Sequence, residues 1–146
     1  MLVFLAKPSE AQLNIHEFDE LEILQTIQER PVVVFIHTDW CGYCRKMENT
    51  TFEWGELVDT LNNRFHFIKL DAEYKEDITY KGNTFKFVET GVDTGVHELA
   101  SALAVIDGKI SYPTICVLNP DDEYVFRNPG FMTAEALLEV LKAVLE

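Results

Sequence analysis

Two periodicities divide the chain into elements. Leu13-Asn14-Ile15 alternates and reads as a short edge strand. Phe18, Leu21, Leu24 and Ile27 then recur at three-residue spacing with polar residues between them. That spacing predicts an amphipathic helix of roughly three turns, ended at Arg30 because Pro31 restricts the residue before it. Val32 to Ile36 is apolar throughout and mostly β-branched, as expected of a strand covered on both faces. A helix beginning near Cys41 is interrupted at Asn49–Glu53, where Thr50 and Glu53 have capping-box spacing and predict a restart. Trp54, Leu57, Val58 and Leu61 form the apolar face of that second helix. Phe65 to Leu70 predicts a strand parallel to the first through a right-handed crossover.

The connection from Asp71 to Ser111 is too long to be structureless. Ile78 and Tyr80 alternate, Lys81-Gly82-Asn83-Thr84 follows, and Phe85 and Phe87 alternate again, which predicts a hairpin over Ile78–Val88. Gly91 and Gly95 mark a loop, Val96, Leu99, Ala100 and Leu103 a short helix, and Asp107-Gly108 a turn. Of the hairpin's aromatics, either a partner or the domain's own helix is the expected cover. Ile115 to Leu118 and Tyr124 to Phe126 predict two further strands. Thr133 stands where it would cap a last helix whose core face is Leu137, Leu138, Leu141, Val144 and Leu145.

Between the Val32–Ile36 strand and the next helix stands Trp40-Cys41-Gly42-Tyr43-Cys44. Residues three apart share a helical face, so the two sulfurs meet there. In strand-to-helix context C-x-x-C reads as a redox pair rather than half a zinc site. Unbonded N–H groups and the positive helix end favour a thiolate, the nucleophilic form. Cys41, the outer cysteine, is expected to attack, and Cys44, one turn in, to resolve the mixed disulfide. Two inert buried thiols are one alternative; a module that binds a soft metal such as copper(I), or a partner, without redox turnover is the other. A closed zinc site needs two more ligands, and no second C-x-x-C or H-x-x-H is present. Cys116 reads as a small core residue. His16, His37, His66 and His97 are scattered; only His37 lies close before the cysteines.

Thr38-Asp39-Trp40-Cys41-Gly42-Tyr43-Cys44-Arg45-Lys46-Met47, with Tyr112-Pro113-Thr114 far downstream, resembles the thioredoxin superfamily. It looks most similar to small exported bacterial thioredoxin-like proteins, over about residues 13 to 146. The resemblance implies an α/β, thioredoxin-like fold: a mixed central sheet flanked by helices, with an inserted hairpin-plus-helix segment, about 72–108, before a cis-proline at Pro113. It implies protein thiol–disulfide exchange, with Cys41 and Cys44 catalytic and Trp40, Gly42, Tyr43, Tyr112, Pro113 and Thr114 contacting substrate. No bound cofactor is implied beyond the Cys41–Cys44 disulfide, and no metal. The family's buried aspartate, six residues before the first cysteine, is replaced by Phe35, while Lys69 matches its lysine. Cys44 is therefore expected to resolve sluggishly near neutral pH unless Lys69, His37 or a water chain stands in as the proton acceptor.

Composition narrows the partners. A formal charge of −13 argues against nucleic acid or an anionic membrane. The implied partners are protein disulfides or dithiols and a redox partner protein, met by a monomer without membrane insertion in its mature form. Residues 12–146 are expected to form one domain. Residues 1–11 contain a short apolar run followed by Ser9-Glu10-Ala11, a small-x-small pattern like a signal-peptidase site. They read as the tail of a secretory signal, favouring a periplasmic protein, or as a disordered cytoplasmic N-terminus.

Overall fold

The structure, a computed structural model, describes residues 11–146. The reading of 1–11 as a signal remnant or disordered tail thus falls outside the described residues, except for Ala11.

A single turn of 3-10 helix at Phe18–Glu20 leads into α1 (Leu21–Ile27), then β1 (Val32–His37) and α2 (Gly42–Asn49). A second 3-10 turn, Thr51–Glu53, precedes α3 (Gly55–Arg64) and β2 (His66–Asp71). The long connection holds β3 (Ile78–Tyr80), β4 (Asn83–Phe85), β5 (Phe87–Gly91), β6 (Thr94–His97), α4 (Glu98–Ala104), β7 (Val105–Ile106) and β8 (Lys109–Ile110). The chain closes with β9 (Thr114–Leu118), β10 (Tyr124–Pro129) and α5 (Ala134–Val144).

Four strands form the central sheet in the order β10-β9-β1-β2. β1 runs parallel to β2, with Phe35 beside Lys69, and antiparallel to β9, with Ile36 beside Thr114. Alternation along these strands splits the interior into two cores. Val33, Phe35, Phe67, Ile115 and Val117 face Met47, Leu57, Leu61, Leu137, Leu138 and Leu141 of α2, α3 and α5. Val32, Val34, Ile36, Ile68, Leu70, Cys116 and Leu118 face Phe18 and Leu21, β3 and α4. The sheet is therefore covered on both sides, as the unbroken apolar run of β1 requires. α1 is too short to persist alone. Burial of Phe18 and Leu21 holds it, each worth about 1.5–3 kcal/mol.

Local structure departs from expectation where tertiary contacts compete. No edge strand forms at Leu13–Ile15; only His16 makes a bridge to β2, at Ile68. The Asn62 side chain takes the Asn14 N–H and donates to the Gln12 carbonyl, both at 2.8 Å, and so occupies groups that a ladder would use. Ile27, expected on the inner face of α1, is 78% exposed at the helix's last residue. The break after α2 is present, but the capping box is not. The Thr50 hydroxyl donates back to the Lys46 carbonyl at 2.6 Å, and α3 starts only after Trp54, which stays partly exposed. The intervening turn is dictated by burial: Thr51 donates to the Met132 carbonyl at 2.6 Å, and the Phe52 ring packs 5.0 Å from both Phe35 and Phe67.

The insertion holds two larger hairpins where one was expected. β3 and β4 pair around Lys81-Gly82, both at positive φ as a tight primed turn requires. Phe87 belongs to a second hairpin, in which β5 pairs with β6. Gly91 and Gly95 thus lie in a hairpin rather than a loop. Val96 is in β6, and α4 begins after it, capped by the His97 side chain accepting the Leu99 N–H at 3.2 Å. Tyr80 and Phe85 join the second core, which answers the question of their cover in favour of the domain itself; Val88 is half-exposed. Tyr80 lies edge-on to Phe18 at 5.0 Å and donates to Asp122 at 2.7 Å. Burial and that hydrogen bond push the Tyr80 phenol well above the usual range. The Thr133 cap is as expected, accepting the Ala136 N–H at 3.2 Å.

Candidate redox site

β1 ends at His37, and Thr38 and Asp39 carry the chain to α2. Cys41 caps that helix with extended backbone, and its Sγ accepts the Cys44 N–H at 3.1 Å. Cys41 and Cys44 are joined in a disulfide with their Cα atoms 5.2 Å apart. Cys41 is 6% exposed and Cys44 1%, so the outer-to-inner order expected from the helix is present. On reduction, a Cys41 thiolate meets an N–H already aimed at it and the positive end of α2.

Aromatic side chains rim the pair. Trp40 and Tyr43 are 68% and 64% exposed. Trp40 lies edge-on to Tyr112 at 5.9 Å, and its indole N–H donates to the Glu73 carboxylate. Tyr43 tilts over Phe131 at 6.4 Å, with the Lys46 ammonium 5.0 Å from the same ring. At Gly42 the space a Cβ would occupy is open. The Tyr112–Pro113 bond is cis. Because Thr114 stands beside Ile36, Pro113 is level with His37 at the sheet edge from which the chain leaves for Cys41. The Pro113 carbonyl accepts from Gly130 at 2.7 Å, and the Thr114 hydroxyl donates to Ser111 at 2.7 Å. Burial, reinforced by Glu73 and Asp71, pushes the Tyr112 phenol up to about 12.

The floor beneath Cys44 is apolar. Phe35 is buried in the same core as both cysteines, and the His37 ring stacks on it at 5.7 Å. Burial, aided by the Lys69 ammonium, holds the His37 imidazole below its ordinary value. Lys69 does not approach as a free amine. Its ammonium pairs at 2.8 Å with Glu48, one helical turn beyond Cys44 on α2. A cleft of about 210 Å³ brings His37, Thr38, Glu48 and Lys69 together with the two cysteines.

Glu48, Glu73 and Phe131 belong to the site but were not singled out from the sequence. Glu48 had a signal, the i,i+4 spacing from Cys44 that sets both on one helical face. Glu73 and Phe131 had none, since each arrives from a distant loop. Cys116 lies in the second core, across the sheet from the pair, and burial pushes its thiol up to about 12. Among the described residues, three metal-ligating side chains cluster only at exposed Glu17, Asp19 and Glu20, away from Cys41 and Cys44.

Residues 18–145 match the family model described as a thioredoxin-like domain. The chain belongs to the thioredoxin-like family. Among solved structures, a thioredoxin from Thermus thermophilus is 22% identical, with a TM-score of 0.65 over 92% of this chain and 88% of that one. DsbH oxidoreductase is 17% identical, with a TM-score of 0.66 over 99% and 94%. A protein from Bacteroides thetaiotaomicron named as a disulphide-isomerase is 24% identical, with a TM-score of 0.62 over 97% and 98%. These likenesses show the thioredoxin-like fold. No curated protein sequence matches the chain. A C-x-x-C disulfide caps the helix after the central strand within a thioredoxin-like domain, and the protein is a thiol–disulfide oxidoreductase.

Proposed function

We propose that the substrates are disulfides of other proteins, acted on in the reducing or isomerising direction, while a redox partner protein returns Cys41 and Cys44 to the dithiol. The observation that carries this reading is the rim. Exposed Trp40 and Tyr43 flank the disulfide, and the Tyr112–Pro113 edge lies alongside Trp40. A polypeptide can lay side chains on the rings and its backbone along that edge. The Cys41 thiolate attacks one substrate sulfur, and the other leaves as a thiolate. Cys44 sulfur then attacks Cys41 sulfur; their bond forms, the bond to substrate breaks, and two electrons have passed to the substrate. Isomerisation results when a substrate thiol attacks the mixed disulfide before Cys44 does. Phe35, at the strand position where the family carries a proton-accepting aspartate, supports that outcome by offering Cys44 no acceptor of its own. The reading includes a monomer exported to a periplasmic compartment, supported by the Ser9-Glu10-Ala11 pattern. Mass spectrometry of protein recovered from its native cell decides export: loss of the leader supports it, and a retained Met1 refutes it.

Turnover is tested with insulin reduction and reactivation of scrambled ribonuclease. Both are expected to proceed, with Cys41→Ser inactive and Cys44→Ser trapped as a mixed disulfide with substrate. Direction is read from the reduction potential of the pair: a value of about −270 mV places it with reductants, and one of about −120 mV with oxidants. The oxidising value, with no ribonuclease reactivation, overturns the proposed direction.

A further inference from the structure

Resolution requires the Cys44 thiol to lose its proton, and the strand position beneath it is Phe35, which accepts none. Something else must take that proton. We propose that Glu48 is the proton acceptor for Cys44, acting through water held in the cleft between them; this rests on the thiol–disulfide exchange reading.

Three observations meet at this place. Cys44 and Glu48 stand one turn apart on the same face of α2, and both line the 210 Å³ cleft. Lys69, beside Phe35 on the neighbouring strand, holds the Glu48 carboxylate at 2.8 Å and fixes it at the cleft wall. Thr38, a residue only 2% exposed whose buried hydroxyl has no protein partner, lines the same cleft. A polar cleft of this size has room for several waters between the cysteine and the carboxylate. Glu48 and Lys69 also line a groove of about 700 Å³ on their other side, between Phe52, Gly55 and Leu13. The carboxylate therefore stands between the water beside Cys44 and solvent, with its side chain about one-third exposed. An acceptor so placed can take a proton from one side and release it on the other.

The charged and titratable groups facing Glu48 are Lys69 from β2, His37 from β1, Asp39 from the following turn, Arg45 and the cysteines from α2, and Glu53 and Asp59 on the groove side. His37 lines the same cleft, but burial and Lys69 disfavour its charged form. In the step itself, the Cys44 S–H proton passes by water to Glu48 as Cys44 sulfur attacks Cys41 sulfur. The Cys41–Cys44 bond forms, the Cys41–substrate bond breaks, and the substrate leaves as a thiolate that later takes up a proton.

Reduced protein mixed with dithiobisnitrobenzoate releases thionitrobenzoate twice, first when Cys41 attacks and then when Cys44 resolves. Stopped-flow absorbance separates the two phases. Glu48→Gln keeps the shape and loses the acceptor. It is expected to leave the first phase within about twofold and to slow the second by roughly tenfold or more at pH 7. The deficit should shrink by pH 9, where hydroxide deprotonates Cys44 directly. Glu48→Asp, which restores a carboxylate, should recover part of the second-phase rate. A second phase unchanged in Glu48→Gln, or slowed equally at pH 7 and pH 9, overturns the proposal. A wild-type protein with no second phase overturns the exchange reading beneath it.

Discussion

His37 and His66 show how a single side chain ties the fold to pH. Both are buried, and their imidazoles are held below 6.5 chiefly by that burial. The Lys69 ammonium adds to the effect at His37. At His66 the Gln28 carbonyl opposes it and Arg30 assists. Between each depressed value and 6.5 the unfolded chain binds more protons than the folded one. Their contribution is thus complete above pH 6.5 and declines as the pH falls through the folded values. Urea unfolding at pH 7.5 and pH 5 should show a loss on acidification that is smaller in the double variant His37→Gln/His66→Gln. An equal loss in both proteins would mean that other groups carry the acid sensitivity. His37 also lies in the floor of the site, stacked on Phe35, so the substitution tests the site's packing as well as its charge.

Among the elements, the β5–β6 hairpin depends most sharply on one residue. A Cβ on Gly95 would stand 2.5 Å from the Val88 carbonyl oxygen across the pair and would also meet the Phe87 ring. The ring can move; the backbone oxygen cannot without breaking the ladder. Gly95→Ala is expected to destabilise the protein by about 1–3 kcal/mol, the usual range for overpacking. Hydrogen exchange should show the loss of protection centred on residues 87–97. Protection unchanged there would mean that the strands can separate without cost. The same hairpin shows how a short pattern misleads. Phe85 and Phe87 are two apart and read as one strand, yet the chain passes from one hairpin to the next between them, at Lys86. The Lys86 N–H and carbonyl go to Glu98, through its side chain at 2.7 Å and its backbone N–H at 2.9 Å. That anchor is set by α4, twelve residues on.

Considered as one body, the protein has an insertion that completes its interior. Ile78, Tyr80, Leu99, Ala100 and Leu103 fill the second core against β1 and β9, on the opposite side of the sheet from the helix that carries Cys41 and Cys44. The only insertion residue shown to touch the site's aromatic rim through a hydrogen bond is Glu73, at its start. A segment that supplies half of one core should not unfold separately. Tryptophan fluorescence and far-ultraviolet circular dichroism should report one coincident urea transition. Exchange of β3 and α4 amides should follow the same global free energy. An earlier transition confined to those amides would make the insertion an independent unit.

The order of elements and the redox pair were legible in the chain because both are local. A β-branched run makes a covered strand, a C-x-x-C after it caps a helix, and a threonine before an apolar-periodic segment caps the last one. Phe35, six residues before Cys41, could likewise be read as an absent proton acceptor from the family resemblance and its position alone. Other features depended on contacts between residues far apart in the chain. Whether Thr50 capped a helix or bonded back to Lys46 was decided by Phe52 seeking the ring of Phe67. Whether Leu13–Ile15 made a ladder was decided by the Asn62 amide. Glu48 became part of the site because Lys69 reaches it from a parallel strand, across a register that the apolar cores impose. Backbone propensity and short spacings act within a few residues and leave their mark in the sequence. The partner that a buried polar group finds depends on which surfaces the two cores bring together, and that is settled only when the sheet closes between them.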